Sequence, residues 1–317
     1  MADNLVFSLN ATMPIFLMMV VGYILKKIKM LDEHSTSVIN KLVFRVFLPA
    51  LLFMDLAKQD FISIWDNKFV LFCALSTVAS IVIALVMSLL DKDKSDRGEI
   101  IQASYRSAAA TLGIAFMTNI YDNVAMVALM IIGSVPIYNI VAVLVLSLTA
   151  PCEAGERSVG QIMKRTLRNI ATNPIILSII AGLVWSVCKL PNPPIMDKSI
   201  TYLGNVASPL ALIGLGASFE FKNVKEKLGP LVMVNVNKLL LFCVVFLPVA
   251  IWMGFRNDKL VAALIMLGSA TTSSSFIMAK NMGHKGIISS SAVMTTTLLS
   301  SFTLTFWLFV LRTFGYI

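Results

Sequence analysis

The stretch GSATTSSSFIMAKNMG, Gly268 to Gly283, decides how this chain is read. Six of the seven residues from Ser269 to Ser275 carry a hydroxyl, yet apolar sequence flanks them, LVAALIML before and FIMA after. Hydroxyl side chains compete with the backbone for hydrogen bonds and loosen a helix where they cluster. An apolar segment with such a run is expected to be a helix interrupted in mid-course. The interruption exposes backbone N–H groups at the positive end of a half-helix dipole, and such groups bind carboxylates. Single hydroxyls more often pack membrane helices together; a run this dense favours interruption.

The flanks belong to a wider pattern. Of 317 residues, 57% are apolar and 14% charged, against roughly 25% charged in a soluble domain. The apolar residues come in blocks near the roughly 20 needed to cross a bilayer, and only closed hydrogen-bonding structures survive in lipid. The fold class expected is an all-α polytopic membrane protein with ten spans, at about 5–25, 38–57, 69–90, 103–120, 124–149, 170–188, 199–218, 229–253, 260–280 and 287–311. The first span is not a cleavable signal: Asp3 precedes it and Lys26, Lys27 and Lys29 follow it, the reverse of a signal's charge order.

Charge sets the orientation. With the N-terminus outside, the cytoplasmic loops hold fifteen Lys and Arg and the outer side seven. Lys41, Arg45, Arg106 and Lys238 lie within spans, the first three near cytoplasmic ends. The positive-inside rule puts both termini outside the cytoplasm. The net charge of +9 follows from this bias, leaving a nucleic-acid partner without support. Cys73, Cys152, Cys188 and Cys243 fall in or beside spans without metal-site spacing, so neither a disulfide nor a metal site is indicated.

The long polar loop 150–169 divides the chain into residues 1–149 and 170–317, five spans each. An odd number per half makes the second half enter from the opposite side, the arithmetic of an inverted repeat. Weak self-similarity agrees. TLGIAFMTNIYDN (Thr111–Asn123) and TSSSFIMAKNMGH (Thr272–His284) share small residues, an apolar patch and a polar exit. FLPALLF (Phe47–Phe53) and SPLALIGLG (Ser208–Gly216) share a proline with leucines near mid-span.

Polar residues at depth outline a site. All seventeen acids, Asp55, Glu99, Asp122 and Glu220 included, fall in loops or within about a turn of a span end. Intramembrane carboxylates are the usual proton relays and cation sites, so an anionic or neutral solute fits better than a carboxylate-based cation antiporter. Thr111 and Gly113 stand in the fourth span, with Thr271, Thr272 and Ser273 in the ninth. In VPIYNIV (Val135–Val141), Pro136 is expected to kink the fifth span, with Tyr138 and Asn139 near the same depth. Asn205, Ser208 and Pro209 do likewise in the seventh, all expected to face the bundle interior. Lys238 lies about 14 Å past Gly229 at 1.5 Å per residue. It either snorkels to the headgroups, acts as a counter-charge for substrate, or supports the broken ninth span. Catalytic motifs are missing: there is no HExxH and no P-loop, and both histidines, His34 and His284, are expected in cytoplasmic loops. Nothing calls for a cofactor, and the chain does not read as an enzyme.

Six segments in order carry a resemblance along the whole chain: KLVFRVFLPALLF (Lys41–Phe53), YRSAAATLGIAF (Tyr105–Phe116), VPIYNIVAVL (Val135–Leu144), RNIATNPIILSIIAGL (Arg168–Leu183), LGNVASPLALIGLGASF (Leu203–Phe219) and ATTSSSFIMAKNMG. The chain resembles bacterial members of the auxin efflux carrier (PIN-like) family, whose relatives are associated with malate, malonate and other organic acids. The resemblance implies ten helices in two inverted five-helix repeats, similar to bile-acid symporters and sodium/proton antiporters. Spans 1, 2, 6 and 7 would form a scaffold and spans 3–5 and 8–10 a transport part, with broken spans 4 and 9 crossing at mid-membrane. A homodimer in a bacterial inner membrane is implied. The chain departs from the family pattern with Ala108 for an Asn, Ala115 for a Pro and Thr271 for a Pro, so Gly113 and the hydroxyl clusters are expected to break the helices instead.

The function expected is a secondary-active or facilitative carrier of small organic anions. Thr111, Gly113, Thr271, Thr272 and Ser273 would bind the carboxylate, with Asn139, Asn205 and Lys238 completing the cavity. Protons or sodium are candidate coupling ions, and uniport or anion exchange is favoured. The alternatives are a transporter-like sensor or scaffold that binds without transport, motivated by the lost Asn and prolines, and, more weakly, a channel.

Overall fold

The computed structural model describes residues 2–58, 65–91, 93, 95–121, 125–150, 168, 171–219 and 227–317. The apolar runs fold into helices: α1 (Ala2–Lys27), α2 (Glu33–Leu42), α3 (Leu48–Ala57), α4 (Asn67–Ser88), α5 (Arg97–Tyr105), α6 (Ala109–Tyr121) and α7 (Ala125–Thr149). They continue as α8 (Pro174–Val187), α9 (Pro194–Ser218), α10 (Leu228–Val236), α11 (Phe242–Trp252), α12 (Asn257–Gly268), α13 (Ser274–Asn281) and α14 (Ile287–Thr313). There is no strand among the described residues. Six stretches among them are long and apolar enough to cross a membrane: Glu33–Ala57, Asn67–Ser88, Met126–Thr149, Pro194–Ser218, Leu228–Trp252 and Ile287–Thr313. Their outward faces suit lipid. On α4, Leu71, Leu75, Val78, Val82 and Leu85 form an exposed stripe at helical spacing. Leu177, Ile180, Val184 and Val187 do the same on α8.

Local chemistry sets the ends. The Asp66 carboxylate accepts from Lys68 N and Phe69 N to start α4, and Asn173 accepts from Ile175 N ahead of Pro174 to start α8. A π-helix, Val43–Phe47, joins α2 to α3. Pro49 has no N–H for the Arg45 carbonyl, and in the turn before it Leu48 N donates to Val43 O. A second π-helix, Asn237–Leu241, joins α10 to α11. Ahead of α10, Lys227 bridges Asp93 and Asp96 of the segment between α4 and α5. The Lys227 hydrogen bond holds the Asp93 carboxyl well below the usual range, and Asp93 and Asp96 push Lys227 up.

The helices pack in two groups. In one, α1 lies along α9, and α3 packs on α8 and α9. The α1–α9 approach is backbone to backbone: a Cβ on Gly22 would collide with the Ile213 carbonyl, and one on Gly216 with that of Met19. In the other group, α4, α5 and α7 pack together, and α12 packs on α6, α11 and α14. The α1–α14 contact and the α13 contacts with α2 and α9 join the groups.

Two apolar segments are interrupted. Residues 269–273 separate α12 from α13, as the hydroxyl run suggested, with Ser269 extended at φ −76°, ψ 165°. Residues 106–108 separate α5 from α6, with Arg106 extended at φ −71°, ψ 134°. This corrects the expectation of a break at Gly113, which sits inside α6. There its missing side chain serves packing, since a Cβ would press on Val127 Cγ1 at 3.1 Å. The fourth apolar segment also begins earlier than the expected 103. RGEIIQASY is helical from Arg97, and its Glu99, Gln102, Ser104 and Tyr105 side chains find partners within the protein. Glu99 accepts from Gly286 N (2.7 Å) and Ser289 N (2.9 Å) at the start of α14, where Gly286 turns at φ 77°. Pro136 lies within α7 without ending it. His34 stands in the first turn of α2 rather than in a loop. His284 is buried, with Nε2 3.0 Å from Leu146 O.

Candidate functional site

The two interruptions touch. Ala108 N donates to Ala270 O at 2.8 Å, so each break supplies a partner for a backbone group that the other has freed. Thr271 Oγ1 donates to Ala103 O (2.8 Å), Thr271 N donates to Thr296 Oγ1 (2.9 Å), and Gln102 Nε2 donates to Ser275 O (2.9 Å). Ser107 Oγ donates to Met266 O. The crossing is thus held by hydrogen bonds between segments more than 150 residues apart in sequence.

A cavity of about 360 Å³ opens beside this crossing. One wall is apolar apart from two groups: Leu48, Leu51, Leu52 and Asp55 on α3, Ile175 on α8 and Ser208 on α9. The other wall is the crossing, with Arg106, Ser107 and Ala108 from one break, Thr272, Ser273 and Ser274 from the other, and Val135, Tyr138 and Asn139 from α7. The N-terminal ends of α6 and α13 therefore meet at the cavity, and their first N–H groups carry partial positive charge.

Arg106 is the chemical centre of that wall, and only 2% of it is exposed. Its Nη2 donates to Asn139 Oδ1 (2.8 Å) and Ser274 Oγ (2.7 Å), and its Nη1 donates to Gln102 Oε1 (3.3 Å) and Met278 Sδ (2.8 Å). These partners are neutral, no carboxylate pairs with Arg106 among the described residues, and Nε has no hydrogen-bond partner. Burying an unpaired guanidinium is costly, so such groups in membrane proteins mark sites for charge of opposite sign.

The structure brings some of the sequence-derived residues together and separates others. Thr272, Ser273 and Asn139 line the cavity. Thr271 is buried just behind, on a recess of about 60 Å³ shared with Ala108, Ser208, Thr272 and Ser273. The side chain of Thr111 lies outside the described residues. Gly113 faces Val127 and not the cavity. Asn205 and Pro209 are exposed on α9, against the expectation that they face inward, while Ser208 does reach the cavity. Lys238 is wholly buried, which rules out snorkelling, and it does not line the cavity. It holds the crossing from behind. Sequence reasoning missed Arg106, counting it near a cytoplasmic end. The available signal was its depth: nine residues beyond Arg97 is about 14 Å at 1.5 Å per residue. It also discounted Asp55, which reaches the cavity although it lies near the end of α3. Among the described residues, no cluster of acids, histidines and cysteines suits a metal ion.

Comparison with known proteins follows the same line. The family model described as Membrane transport protein matches residues 7–308. The chain is 23% identical over 310 residues to an uncharacterized transporter of Methanothermobacter thermautotrophicus, covering 96% of this chain and 98% of that protein. It is 22% identical over 310 residues to a Rhizobium meliloti protein provisionally named a malonate transporter, covering 95% and 94%. Among solved structures, the sodium proton antiporter MjNhaP1 of Methanocaldococcus jannaschii aligns with a TM-score of 0.63 at 13% identity, over 96% of this chain and 98% of that one. That likeness is one of fold.

Proposed function

Since this chain belongs to the membrane transport protein family, that of the PIN-like auxin efflux carriers, we propose that it is a secondary carrier of small carboxylates of the malonate type. The observation that carries the reading is Arg106, a buried cation with no acidic partner among the described residues, on the wall of a cavity that also receives two helix N-termini. A cavity of about 360 Å³ suits a small organic acid. One carboxylate would lie against Arg106, Thr272, Ser273 and the N–H groups opening α6 and α13. Asn139, on the same wall, orients the guanidinium by accepting from its Nη2. The malonate name of the Rhizobium relative agrees with this chemistry.

The reading extends to the architecture. The chain would cross the membrane ten times, the segments pairing as two inverted sets of five, at 1–149 and 170–317. The scaffold would comprise α1–α3, α8 and α9, and the moving part α4–α7 and α10–α14. Breaks at the fourth and ninth positions support the repeat, and the cavity's location between the groups supports alternating access. Both termini would be extracytoplasmic, on the strength of the charge bias. Asp55 bears on coupling. An ionised carboxylate in the same cavity repels an anion until it takes a proton, so proton-coupled movement replaces the uniport or exchange favoured from sequence.

The test is malonate uptake by the purified protein in liposomes, with Thr272→Leu as the control. Saturable uptake that the leucine variant loses while remaining folded is expected. Stabilisation by malonate without flux would instead identify a sensor, and equal uptake by both proteins would put the site elsewhere.

A further inference from the structure

Behind the cavity, the C-terminal ends of two half-helices converge on one atom. Lys238 Nζ reaches the carbonyl oxygens of Tyr105 (3.4 Å), Met266 (3.4 Å) and Leu267 (3.1 Å), and also Ser107 Oγ. Tyr105 is the last residue of α5, and Met266 and Leu267 lie in the last turn of α12. These are the ends where helix carbonyls lack intrahelical donors and the dipole is negative. The lysine side chain is wholly buried, and these four acceptors are all neutral.

Three carbonyls and a hydroxyl around one point are neutral, hard oxygen donors. In membrane transporters the C-terminal ends of broken helices and their unwound carbonyls coordinate sodium ions or protons. The two poles of this crossing are therefore separated: the N-terminal ends face the cavity with Arg106, and the C-terminal ends face Lys238. The π-helix Asn237–Leu241 sets the lysine there, and such turns concentrate at functional positions.

We propose that this oxygen cage is a monovalent-cation site kept filled by the Lys238 ammonium, so that the crossing assembles without a dissolved ion. The tethered cation cannot leave, and sodium is neither bound nor carried. This deepens the carrier reading by removing sodium as the coupling ion and rests on it only for that consequence. The cation site itself is a statement about binding. Shortening the side chain empties the cage and leaves its carbonyls facing one another, and a sodium ion can then enter.

The experiment compares the thermal unfolding of purified wild type, Lys238→Ala and Lys238→Ser in sodium, potassium and choline chloride at equal ionic strength. Wild type is expected to unfold at the same temperature in all three salts. At least one variant is expected to unfold several degrees lower in choline and to recover, saturably, with sodium. Saturable stabilisation of wild type by sodium overturns the proposal. So does indifference of both variants to sodium, or failure to recover either one folded even from sodium buffers. Malonate is added to wild type as a separate arm. Its failure to stabilise counts against the carrier reading and leaves the cation result untouched.

Discussion

The Arg106 guanidinium donates to Ser274 Oγ at 2.7 Å, so the side chain at one helix break is held by the first residue of the helix resuming after the other. The same Nη2 donates to Asn139 Oδ1 at 2.8 Å. A fork gripping two elements cannot be replaced by a point charge. Arg106→Lys should keep the positive charge yet lose most malonate binding, and Arg106→Gln should lose more than tenfold. Leaving Asn139 and Ser274 unsatisfied should also cost about 1–3 kcal/mol in stability. Uptake in liposomes and malonate-dependent melting together separate the two effects. Full binding by Arg106→Lys would remove the guanidinium from the site.

Asp55 and Arg106 line one cavity with opposite charges and no direct ion pair. With Asp55 ionised the pair sums to zero; with Asp55 protonated the cavity is positive and receptive to an anion. Malonate uptake should therefore rise as the pH falls. Asp55→Asn fixes the receptive form and should give uptake that is flat with pH and no longer driven by a proton gradient. Initial rates measured with and without an imposed gradient decide it. An unchanged pH profile in the asparagine variant would exclude Asp55 from coupling.

Glu99 is a structural acid. Its two carboxylate oxygens accept from Gly286 N and Ser289 N and so close the N-terminus of α14, where the helix dipole also favours negative charge. Hydrogen bonds to a charged group contribute about 1.5–3 kcal/mol each. Glu99→Gln, which keeps one acceptor, should lower the melting temperature less than Glu99→Ala. Both variants should bind malonate as wild type does once folded, because Glu99 does not line the cavity. Thermal melts with and without malonate check both statements.

How far the sequence reveals this molecule depends on whether the signal is local. The break at residues 269–273 is written in its own hydroxyls, and hydropathy alone suffices for the all-helical membrane fold. The break at Arg106 is not written locally, because YRSAAA holds good helix formers and one serine. It opens because Ala108 N bonds to Ala270 O and the Arg106 and Ser107 side chains are drawn to Ser274 and Met266. All of these partners lie in the other half of the chain. Arg106 was hidden for the same reason. Glu99 and Gln102 look like the rim of a membrane segment, yet both are buried against protein, so the segment starts earlier and Arg106 lies deeper. Asn205 failed the other way: a polar residue in an apolar span carries no mark of which face it occupies, and here it points outward.

Orientation is open to a direct chemical test, because the cysteines differ in access. Cys188 is exposed at the end of α8, whereas Cys73 and Cys243 are buried. Cys152 lies outside the described residues and, in the same reading, in the cytoplasmic loop 150–169. A thiol reacts only as its thiolate and only where reagent reaches it. With both termini extracytoplasmic, a membrane-impermeant maleimide added to intact cells should label the protein at Cys188 alone, and Cys188→Ser should abolish that signal. Permeabilising the cells should add labelling at Cys152 while Cys73 and Cys243 stay silent until the protein unfolds. Labelling of Cys152 from outside, with Cys188 protected, would invert the chain in the membrane. The fifteen inner and seven outer basic residues would then contradict the rule that orients them. The cavity wall that carries Asp55, near the end of α3, would in that case open to the cytoplasm.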